Sequence, residues 1–85
     1  MGKEQKDRID LYPNPVRDEL KIVIPDYKSE ASQQVMLIDQ SGRTVATQRL
    51  SGKETIIRVD GLAPGNYFVL ISGMKKMLYR KFVKQ

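Results

Sequence analysis

Eighty-five residues make one domain, and a chain this short buries only about 60–65% of the surface it exposes when unfolded, which leaves little room for a deep catalytic cavity. Hydrophobic residues are 40% and charged residues 29% of the chain, a globular balance that argues against disorder; with no cysteine, a packed apolar core must supply the stability that disulfides or thiolate metal sites supply elsewhere. The net charge of +5 is localised, because residues 1–72 carry all 10 carboxylates and as many Lys and Arg, so the whole excess comes from Lys75, Lys76, Arg80, Lys81 and Lys84.

Residues 1–8, MGKEQKDR, are too polar for a signal peptide and read as a linker, with Met1-Gly2 as an expression start joined to a fragment. No run approaches the roughly 18 apolar residues of a membrane-spanning helix. The folded domain is expected over 9–85. Its first β-rich run is RIDLY (8–12), followed by the bracket Pro13-Asn14-Pro15. Each proline fixes φ and lacks an N–H, and Pro15 biases Asn14 toward extended geometry, so the bracket is a stiff corner that cannot join a central ladder.

Leu20, Ile22 and Ile24 alternate with Lys21 and Val23, the period-two pattern of a strand. The polar stretch PDYKSEASQQ (25–34) is the longest connection, with room for a helical turn. Val35 and Leu37 alternate with Met36 and Ile38; DQSGR (39–43) then reads as a hairpin into TVATQRL (44–50), and SGKE (51–54) is a second hairpin signal before TIIRV (55–59). DGLAPGN (60–66), with its two glycines and a proline, is a longer corner. In YFVLIS, Tyr67, Val69 and Ile71 can enter a core, which leaves Phe68 and Leu70 facing outward, under neighbouring side chains or as a contact patch. SGMKK (72–76) looks like a hairpin turn into MLYRKFV (77–83), where apolar residues occupy both faces and leave the register open. Seven short strands at these intervals predict an all-β, seven-stranded, immunoglobulin-like antiparallel β-sandwich.

The chemistry is sparse. With neither His nor Cys, the usual general base, the thiolate nucleophile and the commonest transition-metal ligand are missing, and no enzyme, cofactor or metal is expected. Ser41, Ser51 and Ser72 each stand beside Gly and read as turn serines rather than nucleophiles. Asp39 and Asp60 close strands ahead of glycine loops, where a side-chain bond to the local backbone explains them; their spacing offers too few oxygens for calcium. The basic tail has two readings: a solvated edge strand protected by lysines, or an interaction end.

In order and spacing, YPNPVRDELKIVI, VMLIDQSGRTV, VDGLAPGNYFVLI and a short basic, aromatic strand at the end of the chain resemble the C-terminal sorting domain of the type IX (Por) secretion system, from about Leu11 to Gln85. The resemblance implies a targeting module that directs cargo across the outer membrane, with the type IX translocon and its outer-membrane shuttle protein as partners. A sortase often removes such a domain and anchors the cargo at the cell surface. It implies passage through the periplasm and then a surface or extracellular location, without membrane insertion; separately, a net charge of +5 on one edge, with Tyr79 and Phe82 among its basic residues, makes too small a footprint for nucleic acid to be expected as a partner. Carried onto this chain, the sorting motifs are Pro13, Asn14 and Pro15; Asp39, Gly42 and Arg43; and Leu62, Pro64, Gly65, Tyr67, Val69 and Ile71. Translocon recognition falls to Lys75, Lys76, Tyr79, Arg80, Lys81, Phe82, Val83 and Lys84. Under this reading the terminal strand adds to a partner sheet, basic side chains meet an acidic rim, and Phe82 or Tyr79 anchors in a pocket. A homodimer through the last strand stays open. So does a carbohydrate-binding or adhesive sandwich, although there is no Trp and only two Phe and four Tyr to build a glycan platform.

Overall fold

A computed structural model describes residues 8–25, 27, 33–72 and 77–85. All seven anticipated strands are present: β1 (Asp10–Tyr12), β2 (Glu19–Val23), β3 (Gln34–Asp39), β4 (Thr44–Arg49), β5 (Glu54–Arg58), β6 (Gly65–Ser72) and β7 (Leu78–Lys84). They form two antiparallel sheets, a three-stranded one in the order β1-β2-β5 and a four-stranded one in the order β4-β3-β6-β7.

The period-two pattern explains why the sheets pack. Leu20 and Ile22 on β2 and Ile57 on β5 point from the three-stranded sheet. Val35 and Leu37 on β3, Val69 and Ile71 on β6 and Phe82 on β7 meet them from the other. Together they make one apolar core, closed at one margin by Ile24 and at the other by Val16 and Val59. As expected, Tyr67, Val69 and Ile71 are inside, while Phe68 is exposed and Leu70 half-buried on the outer face. The open register of β7 is settled by pairing: Tyr67 lies opposite Phe82 and Ile71 opposite Leu78, so Leu78 and Phe82 face the core, and Tyr79, Lys81 and Val83 face out.

One connection differs from the sequence reading. DQSGR is a hairpin between β3 and β4, but SGKE is a crossover, because β4 belongs to the four-stranded sheet and β5 to the three-stranded one. Leu50 is drawn into the core here, the Ser51 N–H donates to Thr55 Oγ1 at 3.1 Å, and Ser51 Oγ donates to the Glu54 carbonyl at 3.2 Å, so the loop satisfies its polar groups without pairing the strands it joins. A Gly-containing loop signals that the chain turns, not which sheet receives it. The helical turn considered for 25–34 falls largely on residues 26 and 28–32, outside the described residues, as does most of the turn at 72–76.

Candidate functional site

The four groups of motif residues are far apart in the chain, and strand pairing brings most of them to one end of the sandwich. Asp39, the last residue of β3, pairs with Tyr67 near the start of β6; Tyr67 pairs with Phe82, Gly65 pairs with Lys84, and Lys84 bridges to Val16 just beyond the proline corner. Two neighbouring rows across the sheet, Asp39–Tyr67–Phe82 and Gly65–Lys84–Val16, thus link the β3–β4 hairpin to the proline corner.

The corner is built against the end of the chain. Both of its X–Pro bonds, Tyr12–Pro13 and Asn14–Pro15, are cis, and all three corner residues are exposed. Asn14 Oδ1 accepts the Val83 N–H at 2.9 Å, the Val16 N–H donates to the Val83 carbonyl at 2.8 Å, and the Gln85 N–H donates to the Val16 carbonyl at 2.8 Å. Residues 14–16 therefore run alongside the final part of β7 as a short parallel partner, with an asparagine side chain standing in for a backbone carbonyl. Prolines that cannot donate do no harm there, because Val16 and the Asn14 side chain supply the bonds. Val16 is fully buried and fastens the corner to the core.

In the second motif, Asp39 organises its own hairpin. Its Oδ1 accepts the Ser41 and Arg43 N–H groups, each at 3.0 Å, and the Ser41 hydroxyl at 2.8 Å, while Gly42 N–H donates to the Asp39 carbonyl at 3.0 Å. Gly42 has φ +92°, in the left-handed region where a glycine is favoured, and just beyond it Val45 bulges out of the β3–β4 register. The donated hydrogen bonds, first the Arg43 N–H and then the Ser41 hydroxyl, hold the Asp39 carboxyl below its ordinary range. Thus Asp39 does bond the local backbone as expected, whereas the Asp60 carboxylate is held first by Arg58 at 2.8 Å, which lowers its pKa.

The third motif is a tyrosine corner, a device by which sandwiches pin a crossover. The Tyr67 hydroxyl donates to the Ala63 carbonyl at 2.6 Å, Leu62 turns back onto the core, and Gly65 takes φ +152°. Between this corner and the β3–β4 hairpin lies a shallow open groove of about 420 Å³, lined by residues 39–41 and 64–67. Val69 and Ile71 continue the motif into the core and away from the groove.

The terminal group is divided by the fold. Lys75 and Lys76 lie outside the described residues. Tyr79, Arg80 and Lys81 are exposed and Val83 is half-buried. Phe82 corrects an expectation: its ring is 0% exposed and stacked on Tyr67 at 5.6 Å, so in the folded domain it anchors β7 to the core and offers nothing to a partner pocket. Lys84 is also largely buried, its ammonium donating to the Gln85 carbonyl at 2.9 Å. The basic tail is therefore not one continuous charged surface.

Two features escaped the reading of the sequence. The docking of residues 14–16 on β7 joins positions 69 residues apart through a side chain, and no local signal announces it. On the outer face, Ile38, Phe68, Leu70 and Tyr79 line a wholly apolar hollow of about 240 Å³, with Phe68 and Tyr79 edge to face at 6.4 Å. The apolar residues on both faces of YFVLIS pointed to Phe68 and Leu70, but only the pairings with β3 and β7 add Ile38 and Tyr79.

Among the described residues no group of three or more acidic side chains is placed to hold a metal. In comparison with known proteins, a family model described as the secretion system C-terminal sorting domain matches residues 10–85. No curated protein and no solved structure matches the chain.

Proposed function

This chain belongs to the family of secretion system C-terminal sorting domains, the sorting tails of type IX cargo, and we propose that the type IX translocon and its outer-membrane shuttle protein read it through the exposed part of its terminal strand. The membership itself makes the chain a sorting signal that interacts with type IX machinery, on cargo destined for secretion or the cell surface. The observation that carries the finer reading is the asymmetry of β7. Phe82 and Lys84 are consumed by the fold, while Tyr79, Arg80 and Lys81 stand exposed on an edge strand.

The motif residues then divide into two tasks. Pro13, Asn14 and Pro15, with Asp39, Gly42 and Arg43 and with Leu62, Pro64, Gly65 and Tyr67, shape the end of the sandwich against which β7 is fixed. Val69 and Ile71 fill the core beneath it. Tyr79, Arg80 and Lys81 supply recognition, joined by Lys75 and Lys76. Cargo passes through the periplasm, and after export a sortase removes the domain by cutting the linker ahead of the fold and anchors the cargo at the surface. No catalytic step belongs to this chain.

Fusion of residues 9–85 to a folded periplasmic reporter, in a host with a working type IX system, tests the proposal. Surface display that is lost when residues 77–85 are deleted is the expected result. Because that deletion also removes Phe82 from the core, Tyr79→Ser with Lys81→Glu is tested beside it, in a domain whose core is intact. Folded reporter retained in the periplasm with the unaltered domain would overturn the sorting reading.

A further inference from the structure

The outer face of the four-stranded sheet and the open part of its β7 edge meet at Tyr79, and their chemistry is complementary to one kind of partner. Backbone N–H and C=O groups of a strand alternate in direction along it. Because the Val83 N–H and C=O turn away from β6 toward Asn14 and Val16, those of Tyr79 and Lys81 turn to the same outer edge. There the Tyr79 carbonyl accepts Arg80 Nη1 at 2.8 Å, and the remaining three groups have no partner among the described residues. Residues 14–16 thus seal one end of the β7 edge, and no other described strand pairs with the rest of it.

On the adjoining face, strand register places Ile38, Phe68 and Lys81 in one outward row and Met36, Leu70 and Tyr79 in the next. The following row holds Arg49, Gln34 and Ser72. No carboxylate lies in these three rows, and their charged side chains, Lys81 and Arg49, are both basic and exposed. An apolar strip that ends at Lys81 and at backbone N–H groups with no partner among the described residues is a surface for an added strand rather than for lipid alone, since acyl chains offer nothing to those N–H groups. A second copy joined edge to edge would bring Lys81 and Arg80 near like charges, which opposes that pairing.

We infer that the Tyr79–Lys81 edge is a β-augmentation site for an acidic, aliphatic strand of a partner protein, with an apolar side chain beside Tyr79 over the Phe68 hollow and a carboxylate beside Lys81, two residues away. The inference rests on the sorting reading for its biological partner but not for its physical test. An added strand continues the outward row, so the side chains opposite residues 79 and 81 fall on the apolar face and the one between them turns toward Arg80. The corner at residues 14–16 fixes how far the strand can extend, because the positions beyond Lys81 are already bonded.

The test uses the isotopically labelled 85-residue chain and a synthetic peptide repeating Val-Thr-Glu-Thr, with a second peptide carrying Lys in place of Glu. The acidic peptide is expected to shift the Tyr79 and Lys81 amides and the Phe68 side chain, and to leave Val83 and Gln85 nearly unmoved. Lys81→Pro, which removes an outward N–H together with the lysine ammonium, should weaken binding at least about tenfold, as an edge position tolerates proline structurally. Ile56→Ser, which removes an exposed apolar side chain from the other sheet, should leave affinity unchanged. If Lys81→Pro disturbs the β6–β7 amides, Lys81→Glu replaces it and should transfer the preference to the lysine peptide. Equal binding of both peptides, shifts confined to another edge, self-association without peptide, or binding only to anionic-lipid vesicles would each overturn the inference. A chain that still displays a reporter but binds neither peptide sinks this surface and spares the sorting reading. Peptide binding without display supports the surface and sinks the sorting reading.

Discussion

The two ends of β7 are held in opposite ways. From Phe82 onward the strand is bonded to β6 on one side and to residues 14–16 on the other, with Phe82 stacked beneath it on Tyr67 and the Lys84 ammonium folded onto the Gln85 carbonyl. From Leu78 to Lys81 the strand pairs with β6 alone among the described residues, and its outward Tyr79 stands over an apolar hollow. A short edge strand must be stable enough to keep its shape and unpaired enough to be recognised, and this chain assigns those demands to different residues of one strand.

The sharpest way to separate them is a pair of truncations three residues apart. Phe82→Ala removes a wholly buried aromatic and should cost about 3–5 kcal/mol, a large share of the roughly 5–10 kcal/mol available to a domain of this size. Tyr79→Ala removes a ring that is 61% exposed and should change stability by no more than about 1 kcal/mol. Urea unfolding at neutral pH measures both. In the reporter fusion both substitutions should abolish display, the first by unfolding the signal and the second with the domain intact. A folded Phe82→Ala domain of unchanged stability would break the comparison.

That contrast was only half legible in the sequence. Alternation at Leu20-Lys21-Ile22 and at Tyr67-Phe68-Val69 specified strands and their inner faces, because burial imposes period two on any half-buried strand. In MLYRKFV both alternating sets contain apolar residues, so only the partner strand could decide between them. The same limit applied to SGKE, where local chemistry showed a turn and the choice of sheet belonged to Leu50 and the core. The motifs were legible as residues but not as a place. Their convergence depends on pairings such as Gly65 with Lys84 and on the Asn14 bond to Val83, which join residues that share no local pattern.

The clamp itself gives a prediction of intermediate size. Asn14→Ala deletes the acceptor for the Val83 N–H and should lower stability by about 1 kcal/mol. Hydrogen exchange should accelerate at Val83 and Gln85 and stay unchanged at Tyr79 and Lys81, whose amides face an open edge in either case. Asn14→Asp retains an oxygen at the same position and should restore most of the protection. If exchange rises uniformly along β7, the two ends are a single cooperative unit and the division of labour fails.

The smallest effect belongs to the hairpin at the far end of the motif rows. Folding lowers the Asp39 pKa below its ordinary value of 3.8, chiefly through the Arg43 N–H and the Ser41 hydroxyl. A carboxylate with a depressed folded-state pKa contributes stability that is fully present above the unfolded value and is lost as pH falls through the folded one. The thermal midpoint of the natural chain should therefore hold steady at neutral pH and decline below about pH 4, with other carboxylates adding to the decline. Asp39→Asn keeps an acceptor for the same N–H groups but no titratable charge, so it should lie slightly below the natural chain at pH 7 and converge with it as pH falls through the lowered folded-state value. Because Asp39 pairs with Tyr67 and not with the open end of β7, this substitution should leave the Tyr79 and Lys81 amides where they are. Movement of those amides would mean that the groove end and the open edge are coupled, and that recognition at Tyr79 depends on both motif rows rather than on one end of one strand.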